Sequence, residues 1–229
     1  MQDEVRVTEW TTPKGNTARI AVRAKTNDAM VAESIIRHDE YKTGNLNLTG
    51  TALDIGAHIG AATVLLALDN PELKVIAVEP VPDNILMLTR NVADNGLTDR
   101  VSIIEGVAGP KRAVHYNFRG SEIADMHRYI GNQRMPTGTD HDTIEPAAFS
   151  LTQLVKMAGG HVSFCKIDVE GAEDEIFADP AVGKITLIHG EWHNGPAGTE
   201  IRLLAGEDLA TEIPKPAPRK RRTRKAAAK

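Results

Sequence analysis

The chain has 229 residues, enough for one α/β domain with a substantial core and short for two. Its composition, 41% hydrophobic and 25% charged, is that of an ordinary globular protein, and 4% aromatic residues are too few for an extended base-stacking surface. The net charge of −4 is uneven, since eight of the 27 basic residues and no acidic residue lie in Lys215–Lys229. The rest of the chain is acidic and would repel phosphate backbones, so only this basic tail is suited to attract them.

Three features of the sequence bear on location. Cys165 is the only cysteine, so no intrachain disulfide forms. The N-terminal sequence MQDEVRV is acidic and lacks the apolar region of a secretory signal. No apolar run approaches the ~20 residues that a membrane-spanning helix needs. We therefore expect a cytoplasmic protein.

The N-terminal region is predicted to hold a hairpin and a helix. Val5–Val7 and Arg19–Val22 alternate polar and apolar residues around a Pro-Lys-Gly turn, which predicts a β-hairpin. Asn27 or Asp28 is predicted to cap a helix that runs through Ile36. The apolar positions of this helix suit one buried stripe: Met30, Val31, Ile35 and Ile36.

From Thr51 onward, strands and helices alternate. The predicted strands are Thr51–Ile55, Leu73–Val78, Val101–Ile104, Val162–Val169 and Ile185–His189. The predicted helices are Gly60–Leu68, Asp83–Asn95, a segment from the capping-box pair Ser150 and Gln153 through Ala158, and Gly171–Phe177. This alternation predicts an α/β fold with a doubly wound, mostly parallel sheet and helices on both faces. Such sheets bind ligands at the carboxyl ends of their strands, near the topological switch point.

The chain is predicted to have three parts. Residues 1–50 form the hairpin and helix packed on the core, residues 51–213 form the core, and residues 214–229 form a disordered basic tail. Within the core, Arg119–Phe149 lacks periodicity. A loop of that length usually has a function, and we expect it to shape an acceptor pocket.

A glycine turn after the first core strand is the first candidate binding element. Asp54 ends that strand, Gly56 lies in the turn, and Gly60 begins the next helix. Glycine lets the backbone pass close to a ligand. The carboxylate of Asp54 would repel a pyrophosphate but attract the α-ammonium of a methionine moiety. Ala57 stands where the dinucleotide fingerprint requires its middle glycine, which disfavours NAD.

Two further strand ends are candidates for nucleoside binding. Glu79 ends the second core strand, and an acidic residue there can accept hydrogen bonds from both ribose hydroxyls. A merely solvated glutamate is the alternative, but the spacing to Asp54 and the glycines favours ribose binding. The third strand ends in Glu105, Gly106, Val107 and Ala108, a segment whose small, apolar residues are suited to line an adenine ring. An ordinary strand-to-turn junction explains this segment equally well.

Several segments together resemble a known family. They are LDIGAHIGAAT, VIAVEPVPDNILMLTRNVADNG, VSIIEGVAG, FSLTQLV, CKIDVEGAEDEIF, ITLIHGEWH and, upstream, ARIAVRAKTNDAMVAESIIRHDEY. Over residues 18–193 the chain is similar to FkbM-type methyltransferases, a branch of the class I S-adenosylmethionine-dependent enzymes. The resemblance implies a Rossmann-like sheet of seven mostly parallel strands, S-adenosylmethionine as donor, and typically O-methylation of a hydroxyl.

The resemblance also implies site residues. Asp54, Gly56 and Gly60 are expected to flank the methionine end, Glu79 the ribose, and Asp168 the place where donor and acceptor meet. Together with the strand-end residues above, the full set of expected cofactor-binding residues is Asp54, Gly56, Ala57, His58, Gly60, Glu79, Pro80, Glu105, Gly106, Val107 and Asp168. His58 departs from the family, which usually has asparagine there. After His193 too little chain remains for a full helix and a closing β-hairpin. We therefore expect a truncated sheet edge, covered either by another subunit of a homo-oligomer or by the N-terminal hairpin.

A carboxylate cluster is the candidate catalytic element. Asp168 and Glu170 share one strand face, and Glu173 follows in the first turn of a helix, where acidic residues are common. Two like charges at a strand end need a nearby cation, for which Lys166, the donor's sulfonium and a metal ion are the alternatives. We expect Asp168 to orient the acceptor, with Glu170 or His193 as general base.

A metal site is the less favoured reading of the last predicted strand. His189, Glu191 and His193 alternate there, and with Asp168 they would offer ligands for a divalent ion. Local hydrogen bonding explains them better, so no metal is predicted.

The predicted function is S-adenosylmethionine-dependent methylation of a hydroxyl on a sugar, glycan or small metabolite. A nicotinamide-dependent dehydrogenase is disfavoured by Ala57. The other alternative is a non-catalytic module that binds nucleic acid or another polyanion, or an anionic surface, weakly and non-specifically through Lys215–Lys229.

Overall fold

The computed structural model describes residues 4–111, 114–116, 129–130, 142–169, 171–192 and 200–204. Its first two strands are β1 (Val5–Thr11) and β2 (Thr17–Arg23), which pair antiparallel. The predicted hairpin is therefore confirmed, with longer strands than the alternation indicated.

The first helix, α1 (Asp28–Arg37), corrects two details of the prediction. Asn27 precedes it but makes no capping bond with its side chain. Met30 is 66% exposed, so it does not belong to the buried stripe. The buried positions are Asp28, Ala32, Ile35 and Ile36. A charged residue occupies the buried face because Arg23 of β2 pairs with it.

The remaining elements follow in chain order. The strands are β3 (Gly50–Ile55), β4 (Leu73–Glu79), β5 (Val101–Glu105), β6 (Val107–Ala108), β7 (Val114–Tyr116), β8 (Tyr129–Ile130), β9 (Asp142–Ile144), β10 (Ala148–Phe149), β11 (Phe164–Ile167), β12 (Leu187–Glu191) and β13 (Glu200–Leu204). The helices are α2 (Ala61–Asp69), α3 (Pro82–Asp94), α4 (Leu151–Met157), α5 (Glu173–Phe177) and a 3₁₀ helix at Pro180–Lys184. The capping box of Ser150 and Gln153 is present at α4, as predicted.

The main sheet has the order β13-β12-β11-β3-β4-β5. The strands from β12 to β5 run parallel, and β13 pairs antiparallel with β12. The doubly wound, mostly parallel α/β fold is thus confirmed. The strand order reverses at β3, whose neighbours are β4 and β11, so the switch point lies between β3 and β11.

The sheet edge differs from the expectation. β12 is not the edge, because the chain after Glu191 supplies β13 and the described part of the chain contains six strands in this sheet. The hairpin does not cover that edge either, since β2 packs on α2 and α3. One antiparallel strand needs less chain than the helix and hairpin that the resemblance implied.

Alternating side chains build a core on each face of the sheet. In β4, Val75 and Ala77 join the core with α1, α2 and α3, whereas Ile76 and Val78 join the core with α4 and α5. Within the described residues, no helix is long and apolar enough to span a bilayer. The two cores hold the carboxyl ends of β3, β4 and β11 at one end of the sheet, where the candidate site lies.

Candidate functional site

A cleft lies at the carboxyl ends of the central strands, beside the switch point. Its lining is mostly apolar or small: Ile55, Gly56, Val78, Pro80, Gly106, Val107, Ala108, Val114, Asp168, Val169 and Ala172. Asp168 is the charged residue of this lining, so the cleft is an apolar slot with a carboxylate at one end.

Gly56 lies in the turn after β3 and packs closely against the end of β11, the neighbouring strand. Its φ is +81°, and a Cβ atom there would overlap the backbone carbonyl oxygen of Asp168. The position therefore requires glycine for two reasons, the left-handed backbone and the close approach of the β11 end.

The structure divides the predicted cofactor residues into two groups. Five line the cleft: Gly56, Pro80, Gly106, Val107 and Asp168. The others are not among the residues that line it: Asp54, Ala57, His58, Gly60, Glu79 and Glu105. In this second group Glu105 is exposed, and it lies opposite Glu79 in the register of β5 and β4. The apolar walls, including Ile55, Val78 and Val169, were missed because hydrophobic residues at strand ends look like ordinary core.

Glu79 is fully buried, and the donors to its carboxylate include two backbone N–H groups and one side-chain amide. Oε2 accepts from the backbone N–H of His58 at 2.8 Å. Oε1 accepts from the backbone N–H of Val81 at 3.1 Å and from Asn84 Nδ2 at 3.0 Å. These bonds fix the carboxylate in one orientation.

A buried network lies behind Glu79. Asn84 Oδ1 accepts from Arg23 Nη2 at 2.9 Å, and Arg23 also forms a fork with Asp28, with Nε–Oδ2 at 2.8 Å and Nη2–Oδ1 at 2.9 Å. His58 Nε2 lies 3.5 Å from Asp28 Oδ1. Burial alone raises the pKa of Asp28, but the hydrogen bonds and charge of Arg23 outweigh it and lower the pKa below its usual value.

The Asp28–Arg23 pair predicts a specific acid sensitivity. A depressed carboxyl pKa contributes stability that is present above the unfolded value of about 3.9 and is lost as pH falls through the lower folded value. Asp28→Asn should lower the free energy of unfolding by about 1.5–3 kcal/mol at pH 7, because a charged hydrogen-bond partner is lost. Urea denaturation at several pH values should show a smaller acid-induced loss in the variant than in the wild type. An identical acid dependence in both proteins would contradict this assignment.

Lys166 is the cation beside the carboxylates. It is 3% exposed and lies opposite Asp54 in the register of β11 and β3. Its Nζ lies 3.4 Å from Asp54 Oδ1 and 4.0 Å from Asp168 Oδ2, and it donates to the carbonyl oxygen of Gly56 at 2.6 Å. Thr63 Oγ1 donates to the other oxygen of Asp54 at 2.6 Å. Of the three cations considered from the sequence, the structure places Lys166 at the cluster.

Tyr41, between α1 and β3, reaches the cluster from the N-terminal region. Its hydroxyl donates to Asp168 Oδ2 at 3.4 Å, and its ring meets His189 edge-on with centroids 5.9 Å apart. Burial raises the pKa of Tyr41 well above its usual value, and the negative charge of Asp168 adds to this, so the hydroxyl stays a donor. Burial, with the charges of Glu191 and Asp168, also raises the pKa of the neighbouring Glu40.

The remaining catalytic predictions are placed only in part. Asp168 lies at the cleft with a side chain that is 27% exposed. Glu170 and His193 lie outside the described residues, as does most of Arg119–Phe149. In the described part of the chain, no group of three or more His, Cys, Asp or Glu side chains is arranged to hold a metal ion. The prediction that the protein needs no metal stays a prediction.

The chain is similar to a known protein family and to several solved structures. A family model described as the methyltransferase FkbM domain matches residues 54–209. No curated protein matches the chain significantly. Arg23, Asp28 and Tyr41, which reach the site, all precede the matched region.

Three solved structures illustrate the structural likeness. Precorrin-6Y C5,15-methyltransferase from Geobacter metallireducens has 16% identity and a TM-score of 0.40, over 67% of this chain and 60% of that one. A putative O-methyltransferase from Klebsiella pneumoniae has 15% identity and a TM-score of 0.38, over 72% and 54%. Cofactor-bound Rv0187 from MTB has 18% identity and a TM-score of 0.37, over 62% and 47%. The chain thus spans less than two thirds of the length of each.

Proposed function

This chain belongs to the FkbM family of S-adenosylmethionine-dependent methyltransferases, and from that premise we propose that it methylates a hydroxyl of a sugar, glycan or small metabolite. The observation that carries the proposal is the cleft at the switch point, where Gly56 lets the end of β11 approach β3 closely and Asp168 supplies a carboxylate. The acceptor class is an inference from the family resemblance.

The residues present fit the cofactor. Val78, Val107 and Ala108 offer apolar walls for an adenine ring, and the fixed carboxylate of Glu79 suits ribose hydroxyls. Asp54 and Asp168 share one buried cation, Lys166, so this cluster carries one surplus negative charge. That balance favours a ligand with a sulfonium and an ammonium over the pyrophosphate of a dinucleotide.

The chain's own residues then have two tasks. S-adenosylmethionine, when bound, supplies a methyl group already activated on a sulfonium. The protein must align the acceptor hydroxyl and take up its proton. Asp168 is held by the hydroxyl of Tyr41 and lies near Lys166. In this position its carboxylate is placed to accept a hydrogen bond from the hydroxyl of the methyl acceptor. Glu170 or His193 is the proposed general base.

Asp168→Asn tests the alignment role. The amide keeps the size of the side chain but loses its charge and one acceptor, so methyl transfer should fall about 10²-fold, the cost typical of a misplaced reactant. Tritiated S-adenosylmethionine incubated with a cell extract as acceptor source measures the transfer. Wild-type incorporation by the folded variant would refute the role of Asp168.

Two comparisons separate this function from the alternatives. A rise in melting temperature with S-adenosylmethionine but not with NAD supports the methyltransferase over a dehydrogenase. Transfer of tritium from the donor to an extract component supports catalysis over a non-catalytic module. Donor binding without any transfer, across extracts from several growth conditions, would favour the non-catalytic alternative.

The basic tail is a separate proposal that rests on its sequence alone. Lys215–Lys229, with eight basic residues, is suited to weak and salt-dependent contacts with nucleic acid or another anionic surface. Nucleic-acid binding that persists after deletion of these residues would contradict it. The cytoplasmic location stays a prediction.

A further inference from the structure

We propose that Arg23 is a positioning residue of the cofactor site, which orients Glu79 through Asn84. The hairpin that carries Arg23 precedes the family-matched region, so the inference assigns part of the cofactor site to a segment outside that match. It rests on the proposed function, in which Glu79 receives the ribose hydroxyls.

The first step is the direction of the Asn84 amide. Arg23 has only hydrogen-bond donors, and an ionised Glu79 has only acceptors. Asn84 lies between them, with Oδ1 2.9 Å from Arg23 Nη2 and Nδ2 3.0 Å from Glu79 Oε1. Because the guanidinium accepts no hydrogen bond, it determines which end of the amide faces it. Without Arg23 the amide loses its anchor on the oxygen side and is free to swing away from the carboxylate of Glu79.

The second step is the anchoring of Arg23 itself. Asp28 holds the guanidinium through a two-bond fork and also accepts from the backbone N–H of Arg23 at 2.9 Å. Asp28 Oδ1 also lies 3.5 Å from His58 Nε2, and the backbone N–H of His58 donates to Glu79 Oε2. Asp28 is therefore linked to both oxygens of Glu79, to Oε1 through Arg23 and Asn84 and to Oε2 through His58.

The third step is the role that burial gives this network. Arg23 is 6% exposed, and Asp28, Asn84 and Glu79 are fully buried. A buried ion pair contributes little net stability relative to apolar residues of similar size, so stability alone is a weak explanation for it. A carboxylate that is already oriented loses little freedom when a ligand binds, and this raises affinity. Orientation of Glu79 is a function that the network can perform and an apolar core cannot.

The test compares the affinities of two ligands, S-adenosylhomocysteine and its 2′-deoxy counterpart, by calorimetry. A hydrogen bond to a charged group is worth about 1.5–3 kcal/mol, so the wild type should prefer the ribose form at least ~10-fold. Asn84→Asp keeps a partner for Arg23 but sets a like charge against Glu79. Arg23→Lys keeps the charge but loses the fork. Both should reduce the preference to about twofold or less.

The matched control is Asn95→Ala. Asn95 follows α3, the helix that carries Asn84, and binds the backbone of the same strand β2, accepting from the N–H of Arg19 at 3.0 Å and donating to its carbonyl at 2.7 Å. The variant loosens the contact between helix and hairpin at a distance from Glu79. It should keep the wild-type preference, and melting temperatures show that each variant is folded.

Each outcome is decisive. The expected pattern is a lost preference in Asn84→Asp and Arg23→Lys and a retained preference in Asn95→Ala. A folded wild type that binds neither ligand overturns the proposed function and this inference together. A wild type that binds both ligands equally overturns the ribose role of Glu79 and so the inference, but not cofactor binding. A preference retained in Asn84→Asp or in Arg23→Lys, or lost in Asn95→Ala, overturns the positioning role alone.

Discussion

Gly56→Ala should lower the affinity for S-adenosylhomocysteine at least 100-fold, whereas Gly96→Ala should leave it unchanged. Both glycines have a positive φ, +81° and +67°, so both substitutions carry the cost of a left-handed alanine, about 1–2 kcal/mol. Only at Gly56 does the new Cβ overlap the backbone of Asp168, whereas nothing lies within 4 Å at Gly96. Relief of the overlap separates the ends of β3 and β11 and misaligns the walls that contact the ligand, and each ~1.4 kcal/mol of lost contact costs about tenfold in affinity.

Calorimetry gives the two affinities, and urea denaturation gives the two stabilities. The difference between the variants isolates the overlap, because the backbone cost is common to both. Equal affinities in Gly56→Ala and Gly96→Ala would show that the contact between Gly56 and Asp168 does not shape the binding cleft.

Lys166→Met should be strongly destabilising, by about 3–5 kcal/mol, because it leaves the fully buried Asp54 without its cation. For a chain of this length that corresponds to a fall in melting temperature of roughly 6–20 °C. Lys156→Met is the control, since Lys156 is exposed on α4 and should change stability by less than about 0.5 kcal/mol. Thermal and urea unfolding measure both variants.

A double variant sharpens the test of Lys166. Asp54→Asn removes the stranded charge, so Lys166→Met combined with Asp54→Asn should recover part of the stability that Lys166→Met loses. Strictly additive losses in the double variant would mean that Lys166 and Asp54 do not interact. In both variants that carry Lys166→Met, the carbonyl oxygen of Gly56 also loses the hydrogen bond from Lys166.

The regular part of the fold was predictable because it follows from local patterns. Apolar alternation located β3, β4, β5 and β12 to within about two residues, and Ser150 with Gln153 marked the start of α4. The prediction that Met30 lies on the buried face of α1 was wrong. Asp28 is buried on that face instead, because it pairs with Arg23 of β2, a contact that the sequence of the helix does not show. The strand β13 was missed because the expectation followed the chain length of the family pattern.

The site was predictable where spacing reports on geometry. Gly56, Gly106 and Asp168 were identified from strand ends, and parallel strands bring their ends to one edge. The network and Tyr41 were not, since Arg23 meets Asn84 across 61 positions and Tyr41 meets Asp168 across 127. A signal did exist for Arg23 and Asp28, two opposite charges at the junction of a predicted strand and helix. The local pattern instead predicted that Asn27 or Asp28 caps the helix.

Titration of the purified protein with S-adenosylhomocysteine tests the central claim most directly. We expect saturable heat of binding with one site per chain. The affinity should be weakened by Gly56→Ala and unchanged by Gly96→Ala. No heat of binding over a range of temperatures, from protein with a cooperative unfolding transition, would contradict it.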